Sequence, residues 1–167
     1  MTRMTEKTLD RAIEQAFLNN PDFTRWFLSK TKFSKEVAAH CWCRSNNPWG
    51  RTELSIINPE TGLMEKIVRE GETDVLVVFE TDAKRRFALH IENKLASGKF
   101  TRFQPELYAA RAASWVGNEK YGNYEDFETV LIAPIAFYER CGKEAKKFDR
   151  YVSHEDISAH IPTFSGS

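Results

Sequence analysis

The chain contains 167 residues, of which 41% are hydrophobic and 13% aromatic, a composition that supports a packed core and excludes extended disorder. Its 24 basic and 24 acidic side chains cancel, so any nucleic-acid surface must be local rather than global. No apolar stretch approaches the roughly 20 residues of a membrane helix, and three cysteines with a polar N-terminus favour a reducing cytoplasm, without a membrane partner.

The first part of the chain, residues 1–45, predicts helices. Apolar residues recur at helical spacing over 8–19, and Asn20-Pro21-Asp22 then ends this helix and begins a second one. A third helix is predicted from the capping residue Ser34 to about Cys43. A structural subunit is one alternative interpretation, in which a homodimer is built on the aromatic side chains of the first two helices, Phe17, Phe23, Trp26 and Phe27.

From residue 50 the pattern becomes that of strands, and we expect the core over 50–160 of a single domain, 1–167. Strands are predicted at 54–57, 63–68, 73–79, 86–94, 129–136 and 151–152. Turn residues separate the first four into a meander, and a helix over 103–116 connects the fourth strand to the fifth. A last helix begins near Asp156. Because a crossover helix implies a parallel pair, the sequence predicts an α/β fold in which helices flank a mixed β-sheet.

The strongest chemical signal is Ile91-Glu92-Asn93-Lys94, at the end of a predicted strand. Side chains alternate across a sheet, so Glu92 and Lys94 point the same way. Asp74 opens the preceding strand, and hairpin pairing would bring it beside Glu92. Two carboxylates suit a hard cation such as Mg²⁺ (or Mn²⁺), beside which Lys94 could help to activate a water. Ordinary solvated strand ends are the competing interpretation.

The predicted helix that follows carries a polar and aromatic stripe. Pro105 belongs to its first turn and places Gln104 near the N-cap. Gln104, Tyr108, Arg111 and Trp115 share one helical stripe. We expect Tyr108 to pack beneath a site toward which Gln104 and Arg111 extend. Leu107 lies on the neighbouring stripe and is expected to be buried.

Basic residues surround this predicted site. The loop before the helix contains no acid, and a helix N-terminus adds donors that favour phosphate. The predicted substrate-binding residues are therefore Lys99, Arg102, Tyr108 and Arg111. A second basic run over 140–150 is interleaved with acids, which indicates a solvated helix face.

Together these motifs resemble the PD-(D/E)XK nuclease superfamily. Its pattern is an acid opening the second core strand, (D/E)-x-K on the third and often Gln-x-x-x-Tyr on the next helix. Asp74, Glu92-Asn93-Lys94 and Gln104-Pro-Glu-Leu-Tyr108 stand in that order, and the resemblance runs from about residue 53 to 136. With Gly71-Glu72-Thr73 before the first acid, the set looks like a bacterial branch of the superfamily.

The resemblance implies a restriction-endonuclease-like core with a catalytic set of Asp74, Glu92, Lys94 and Gln104. Asp74 and Glu92 would bind Mg²⁺, Lys94 would act at the attacking water, and Gln104 would support the site. The expected function is hydrolysis of phosphodiester bonds in nucleic acid, with DNA favoured. The alternative is a non-catalytic domain of the same fold that binds nucleic acid or a partner protein.

Two departures from the superfamily pattern stand out. Thr73 replaces the usual proline before the first acid. The extra acid that the superfamily often carries on its first helix is not assigned, because Glu14, Glu36 and Glu53 are all candidates. A geometric expectation remains: the Gln104 amide should lie within about 6 Å, two hydrogen-bond lengths, of the Glu92 or Lys94 side chain.

Overall fold

The computed structural model describes residues 4–167, with Cys41 described by its backbone alone. Helices α1 and α2 come first, five strands follow, and helices and strands then alternate toward the C-terminus. The elements are α1 (Glu6–Asn19), α2 (Pro21–Leu28), β1 (Ala38–Arg44), β2 (Trp49–Ile57), β3 (Met64–Glu72), β4 (Val75–Thr81), β5 (Arg86–Asn93), α3 (Gln104–Ser114), β6 (Asp126–Ala133), α4 (Ile135–Ala145), β7 (Arg150–Ser153) and α5 (His154–Ser158). Within this range, every helix is too short or too polar to cross a membrane.

A five-stranded mixed sheet, in the order β1-β4-β5-β6-β7, forms the centre of the molecule. β4 pairs antiparallel with both β1 and β5, whereas β5 pairs parallel with β6, and β6 with β7. Helix α3 makes the crossover between β5 and β6. The predicted α/β class, with a mixed sheet between helices, is therefore confirmed.

The two faces of the sheet bury different sets of helices. Alternate residues of β4 to β6 face α1, α2 and α5, where Phe17, Phe23 and Phe27 are fully buried among them. These aromatic rings belong to the core of the chain itself, since Phe17 contacts both Phe23 and Phe27 at centroid distances of 5.2 and 5.3 Å. The opposite face of the sheet packs against α3 and α4.

The third predicted helix is wrong. Residues 38–44 form β1, which pairs with β4 from Ala38 opposite Thr81 to Arg44 opposite Leu76. The segment contains a capping serine and alanines, so local propensity does not forbid a helix. Hydrogen bonding to the edge of the sheet decides the outcome, and such tertiary contacts routinely override weak propensity.

The first two predicted strands exist but do not extend the central sheet. β2 and β3 pair only with each other, from Trp49 opposite Glu72 to Ile57 opposite Met64, and they lie against α3. The approach is close: a Cβ on Gly71 would lie 2.6 Å from Arg111 Nη1, so a larger residue there would displace that side chain. The meander predicted from turn signals is therefore a separate two-stranded hairpin followed by the sheet.

Helix α3 buries the stripe that was expected to face the site. Tyr108, Arg111, Ala112 and Trp115 are buried, whereas Leu107 is only half-buried. The expectation that Leu107 belongs to the core is wrong. The polar and aromatic stripe is the one that packs on the sheet.

This assignment can be tested by the same substitution on two leucines. Leu76 is 0% exposed on the α3 face of β4, so Leu76→Ala should lower the free energy of unfolding by about 2–5 kcal/mol. Leu107→Ala should lower it by about 1 kcal/mol or less, because less apolar area leaves water at a half-buried site. Urea unfolding measures both values. Equal losses would contradict the observed orientation of α3.

Candidate active site

The predicted acids meet at one edge of the central sheet. Because β4 and β5 are antiparallel, the start of β4 lies beside the end of β5, with Val75 opposite Ile91. Asp74 therefore reaches the last residue of β5, and its Oδ2 accepts a hydrogen bond from the Asn93 backbone N–H at 2.9 Å. The next residue, Lys94, bonds through its N–H to the Ile132 carbonyl at 2.9 Å, which adds the end of β6 to the same edge.

Glu92 is the most constrained side chain of the site. Its Oε1 accepts from Gln104 Nε2 at 2.9 Å and lies 3.0 Å from the ammonium of Lys94. Its Oε2 accepts from the Tyr108 hydroxyl. The Glu92 and Lys94 side chains are only 4% and 10% exposed. Removing two charges from water is costly unless each is paired and hydrogen-bonded, and here three donors fix one carboxylate.

The Tyr108 hydroxyl connects Glu92 with the backbone of Asp74. It donates to Glu92 and accepts from the Asp74 backbone N–H at 3.0 Å. Burial, followed by the charges of Glu92 and Asp74, raises the pKa of Tyr108 well above its usual value. Tyr108 therefore remains a neutral donor at any physiological pH.

Gln104 lies where the geometric expectation placed it, in direct contact with Glu92. Phe103 precedes the helix with φ 62° and ψ 17°, a left-handed conformation that turns the chain into α3. The other end of the Gln104 amide, Oε1, accepts from the Thr101 N–H at 3.1 Å. With donor and acceptor both engaged, the carboxamide has one orientation, and it presents its NH₂ group to Glu92.

The carboxyl groups of Asp74 and Glu92 lie within electrostatic range of each other. Burial is the main reason that the pKa of Asp74 is raised well above its ordinary value, and the charges of Glu92 and Asp10 raise it further. The backbone N–H of Asn93 acts in the opposite direction. Like charges at short range favour one bound proton between them, or a cation in its place.

A third acid, Asp10, was not predicted. It is 2% exposed on α1, and its Oδ1 accepts from the Asn93 side-chain NH₂ at 3.0 Å. Glu6, one turn earlier, accepts from the Leu95 N–H at 3.4 Å. The sequence did contain a signal, because Glu6 and Asp10 continue the stripe of Ile13 and Phe17 at helical spacing. A carboxylate on the buried stripe of a helix needs partners.

The three candidates for the extra acid lie elsewhere. The Glu14 carboxylate accepts a hydrogen bond from the backbone N–H of Ser45. Glu36 is exposed before β1, and Glu53 is exposed on β2, where it pairs with Lys66 at 3.3 Å. Glu6 and Asp10 are thus the acids that the first helix brings to this edge of the sheet.

Behind Asp10 runs a buried polar network. The Asn93 carbonyl oxygen accepts from His154 Nε2 at 2.8 Å, and His154 Nδ1 lies 2.7 Å from the Ser167 hydroxyl. Because an amide oxygen only accepts, His154 carries its proton on Nε2. Burial lowers the pKa of His154 to about 4, so the ring is neutral. Asn93 consequently connects α1 with α5 across the end of β5.

Arg111 does not extend toward the acids. Its guanidinium donates to the Glu72 carbonyl at 2.6 Å and to the Thr73 hydroxyl at 3.2 Å, and it lies over the Tyr108 ring at 4.5 Å. The Thr73 hydroxyl also contacts His90 Nδ1 at 3.0 Å. Thr73, the residue before Asp74, thus fixes the approach to this acid through its side chain.

The two remaining predicted substrate-binding residues lie on different surfaces. Arg102 is exposed over the Phe103 ring and faces the tip of the β2–β3 hairpin. Lys99 is exposed on the other side of the loop, beside α4. The structure therefore brings together Asp74, Glu92, Lys94, Gln104 and Tyr108, and it leaves Lys99, Arg102 and Arg111 outside this cluster.

The donor chemistry of the site is that of a carboxylate pair. Among residues 4–167, no three or more His, Cys, Asp or Glu side chains are arranged to hold a metal ion. Asp74 and Glu92 present oxygen ligands, the type that Mg²⁺ takes from one or two carboxylates while it keeps several waters. These two residues are the ones that could hold such an ion.

No family model, curated protein or solved structure matches this chain. What the protein does must therefore be inferred from the site itself.

Burial of Asp10 makes the stability of the protein depend on pH. Burial is the main cause that raises the pKa of Asp10 from 3.8 to about 7. The folded state then holds its proton more tightly than the unfolded state, so unfolding free energy should fall as pH rises from about 4 to about 7. The loss is at most about 4 kcal/mol. Asp10→Asn should abolish this part of the pH dependence and be the more stable protein at pH 8.

Chemical denaturation in EDTA at pH 5 and pH 8 measures the effect. Asp82→Asn, in the exposed turn between β4 and β5, is the matched control and should keep the wild-type pH dependence. Parallel pH curves for wild type and Asp10→Asn would contradict a buried, proton-binding Asp10.

Proposed function

We propose that the protein is a Mg²⁺-dependent nuclease with a restriction-endonuclease-like core, which hydrolyses phosphodiester bonds in nucleic acid, with DNA as the favoured substrate. The observation that carries this proposal is the convergence on Glu92. Lys94 from the same strand end and Gln104 from α3 both contact its Oε1, and Asp74 lies within electrostatic range of it. Three segments separated in sequence supply these groups.

The charge of the cluster supports a cationic partner. Asp10 and Glu92 are buried and Asp74 is half-buried, all within mutual electrostatic range, and among the described residues Lys94 is the cation that pairs directly with one of them, Glu92. Proteins seldom bury such an excess of like charge without a use for it, and perturbed carboxyls gathered at one point are typical of functional sites. A divalent cation at Asp74 and Glu92 would compensate it.

When bound, Mg²⁺ would polarise the scissile phosphate and lower the pKa of a coordinated water. The chain's own residues then have separate tasks. Gln104 and Tyr108 hold the Glu92 carboxylate in one rotamer, so its free lone pairs keep a fixed direction. Lys94 places a positive charge beside the same carboxylate, where it can orient the attacking water and stabilise negative charge that develops on phosphorus oxygens.

The first test is cleavage by the purified chain. Labelled single- and double-stranded DNA and RNA are incubated with Mg²⁺, Mn²⁺ or EDTA, and products are resolved on denaturing gels. We expect metal-dependent cleavage of DNA. Glu92→Gln and Lys94→Met should each lower the rate by about 100-fold or more, because both remove charge at the reacting centre. Lys94→Met should leave affinity within a few-fold, since one cation is a small part of a phosphate-contacting surface.

Controls separate chemistry from folding and from binding. Glu36→Gln removes an exposed acid that lies near Arg85. Arg85 belongs to the β4–β5 turn, at the end of the sheet opposite the candidate site, so this variant should retain full activity. Circular dichroism and thermal unfolding verify that each variant folds. Metal-independent binding without cleavage would instead support the non-catalytic alternative. Calorimetry that detects no Mn²⁺ binding by the wild type, with or without DNA, would overturn the metal site.

A further inference from the structure

A second candidate site lies between α4 and the loop that follows Lys94. A surface cavity of about 350 Å³ separates this loop from α4. It is lined by Lys99, Phe100, Arg140, Cys141, Lys143 and Glu144. Three of the six lining residues are cations, which is unusual for a chain whose total charge is zero.

The three cations of this cavity are not neutralised by neighbouring acids. Within the part of the chain that the structure describes, Lys99, Arg140 and Lys143 form no ion pair with a carboxylate. Glu144, the one acid lining the cavity, pairs with Lys147 at 3.1 Å, outside the lining. The cavity therefore carries a local positive potential that can attract an anion.

Arg140 has donors left for a ligand. Its Nη2 donates to two loop carbonyls, Ala96 at 2.6 Å and Gly98 at 2.7 Å, and its Nη1 lies 3.3 Å from Cys141 Sγ. A guanidinium has five N–H groups in a planar fork, so the remaining ones are available to phosphate oxygens. The same contacts also hold the loop in place.

The cavity is connected to the candidate active site through one aromatic ring. Phe100 lines the cavity, and Lys94 Nζ lies 5.6 Å from the centroid of its ring. Gly98 packs against the Lys94 side chain so closely that a Cβ there would be 3.3 Å from Cδ. The backbone of Gly98 is the one held by Arg140. Lys94 and the basic cavity thus share one loop.

We propose that Lys99, Arg140 and Lys143 bind a backbone phosphate of a nucleic-acid strand, a few nucleotides from the phosphate held at Lys94. Successive phosphates of one strand advance about 3.4 Å along the duplex axis, so a strand that passes over the Phe100 ring from Lys94 would bring a phosphate a few nucleotides away to the cavity. The Phe100 ring provides an apolar surface for sugar. The contacts are to phosphate, so this subsite adds affinity and position without sequence preference.

Of this proposal, only the position of the subsite relative to a phosphate at Lys94 rests on the proposed nuclease function. Binding of DNA to the cavity can be measured without cleavage. Fluorescence anisotropy in EDTA follows a labelled 20-nucleotide DNA, single- or double-stranded, over a salt titration. Lys99→Gln/Lys143→Gln should bind about tenfold more weakly at low salt, and the slope of log K against log salt should be shallower by about 1–2. Arg140 is left intact, because it also supports the loop.

The matched control is Lys35→Gln/Lys120→Gln. It makes the same change in net charge at exposed positions, one before β1 and one beyond the C-terminal end of α3, both at the opposite end of the sheet. It should bind like the wild type. Equal losses in the two double variants would overturn the subsite, since net charge alone would then explain them. Competition by poly-glutamate as effective as that by unlabelled DNA would overturn nucleic acid in favour of an acidic protein partner.

Cleavage assays distinguish the two proposals. If the wild type binds DNA through these lysines but does not cleave it, the subsite stands and the nuclease proposal fails. If the wild type cleaves and the cavity variant binds normally, the subsite fails alone. A methylphosphonate removes the charge of one phosphate in the DNA. The substitution that weakens binding to the wild type through the cavity should not weaken binding to Lys99→Gln/Lys143→Gln any further, because that variant has already lost the contact. Additive losses at every position would overturn the assignment.

Discussion

The site depends on one constraint, the burial of a negatively charged carboxylate at the end of β5. Glu92 is almost removed from water, so each of its oxygens needs a donor. Gln104 and Tyr108 meet this need from α3, and Lys94 meets it from the chain that follows the strand. Much of the surrounding structure follows, because the left-handed turn at Phe103 and the buried stripe of α3 both serve to bring these donors to Glu92.

Because side chains alternate along a strand, successive residues at the end of β5 lie on opposite faces of the sheet. Glu92 belongs to the face covered by α3 and α4, whereas Asn93 belongs to the face covered by α1 and α5. The middle residue of the Glu-x-Lys motif is thereby a structural link, since its carboxamide donates to Asp10 and accepts from His154. A single strand end thus ties the first helix, the last helix and the crossover helix to one position.

Local patterns in the sequence predicted those parts of the site that lie close together along the chain. Strand alternation places Glu92 and Lys94 on one side, and the proline rule places Gln104 at a helix start. Hairpin pairing brings Asp74 beside them. The contact between Asp10 and Asn93 spans 83 residues, and no local pattern encodes it. The error at β1 has the same origin, because a sheet edge distant in sequence decides the conformation of residues 38–44.

Apart from Lys94 beside Glu92 and Lys7 near Asp10, the polar side chains around the acids are neutral. Burial lowers the pKa of His154 to about 4 and that of His90 well below its usual range, and it raises the pKa of Tyr108, so all three groups are neutral. Arg111 is buried, but its guanidinium donates to the Glu72 carbonyl and the Thr73 hydroxyl. The excess negative charge is left to a proton or an external cation. Under the proposed function the two would compete for the oxygens of Asp74 and Glu92, and this use would account for acids kept at a place where their repulsion lowers stability.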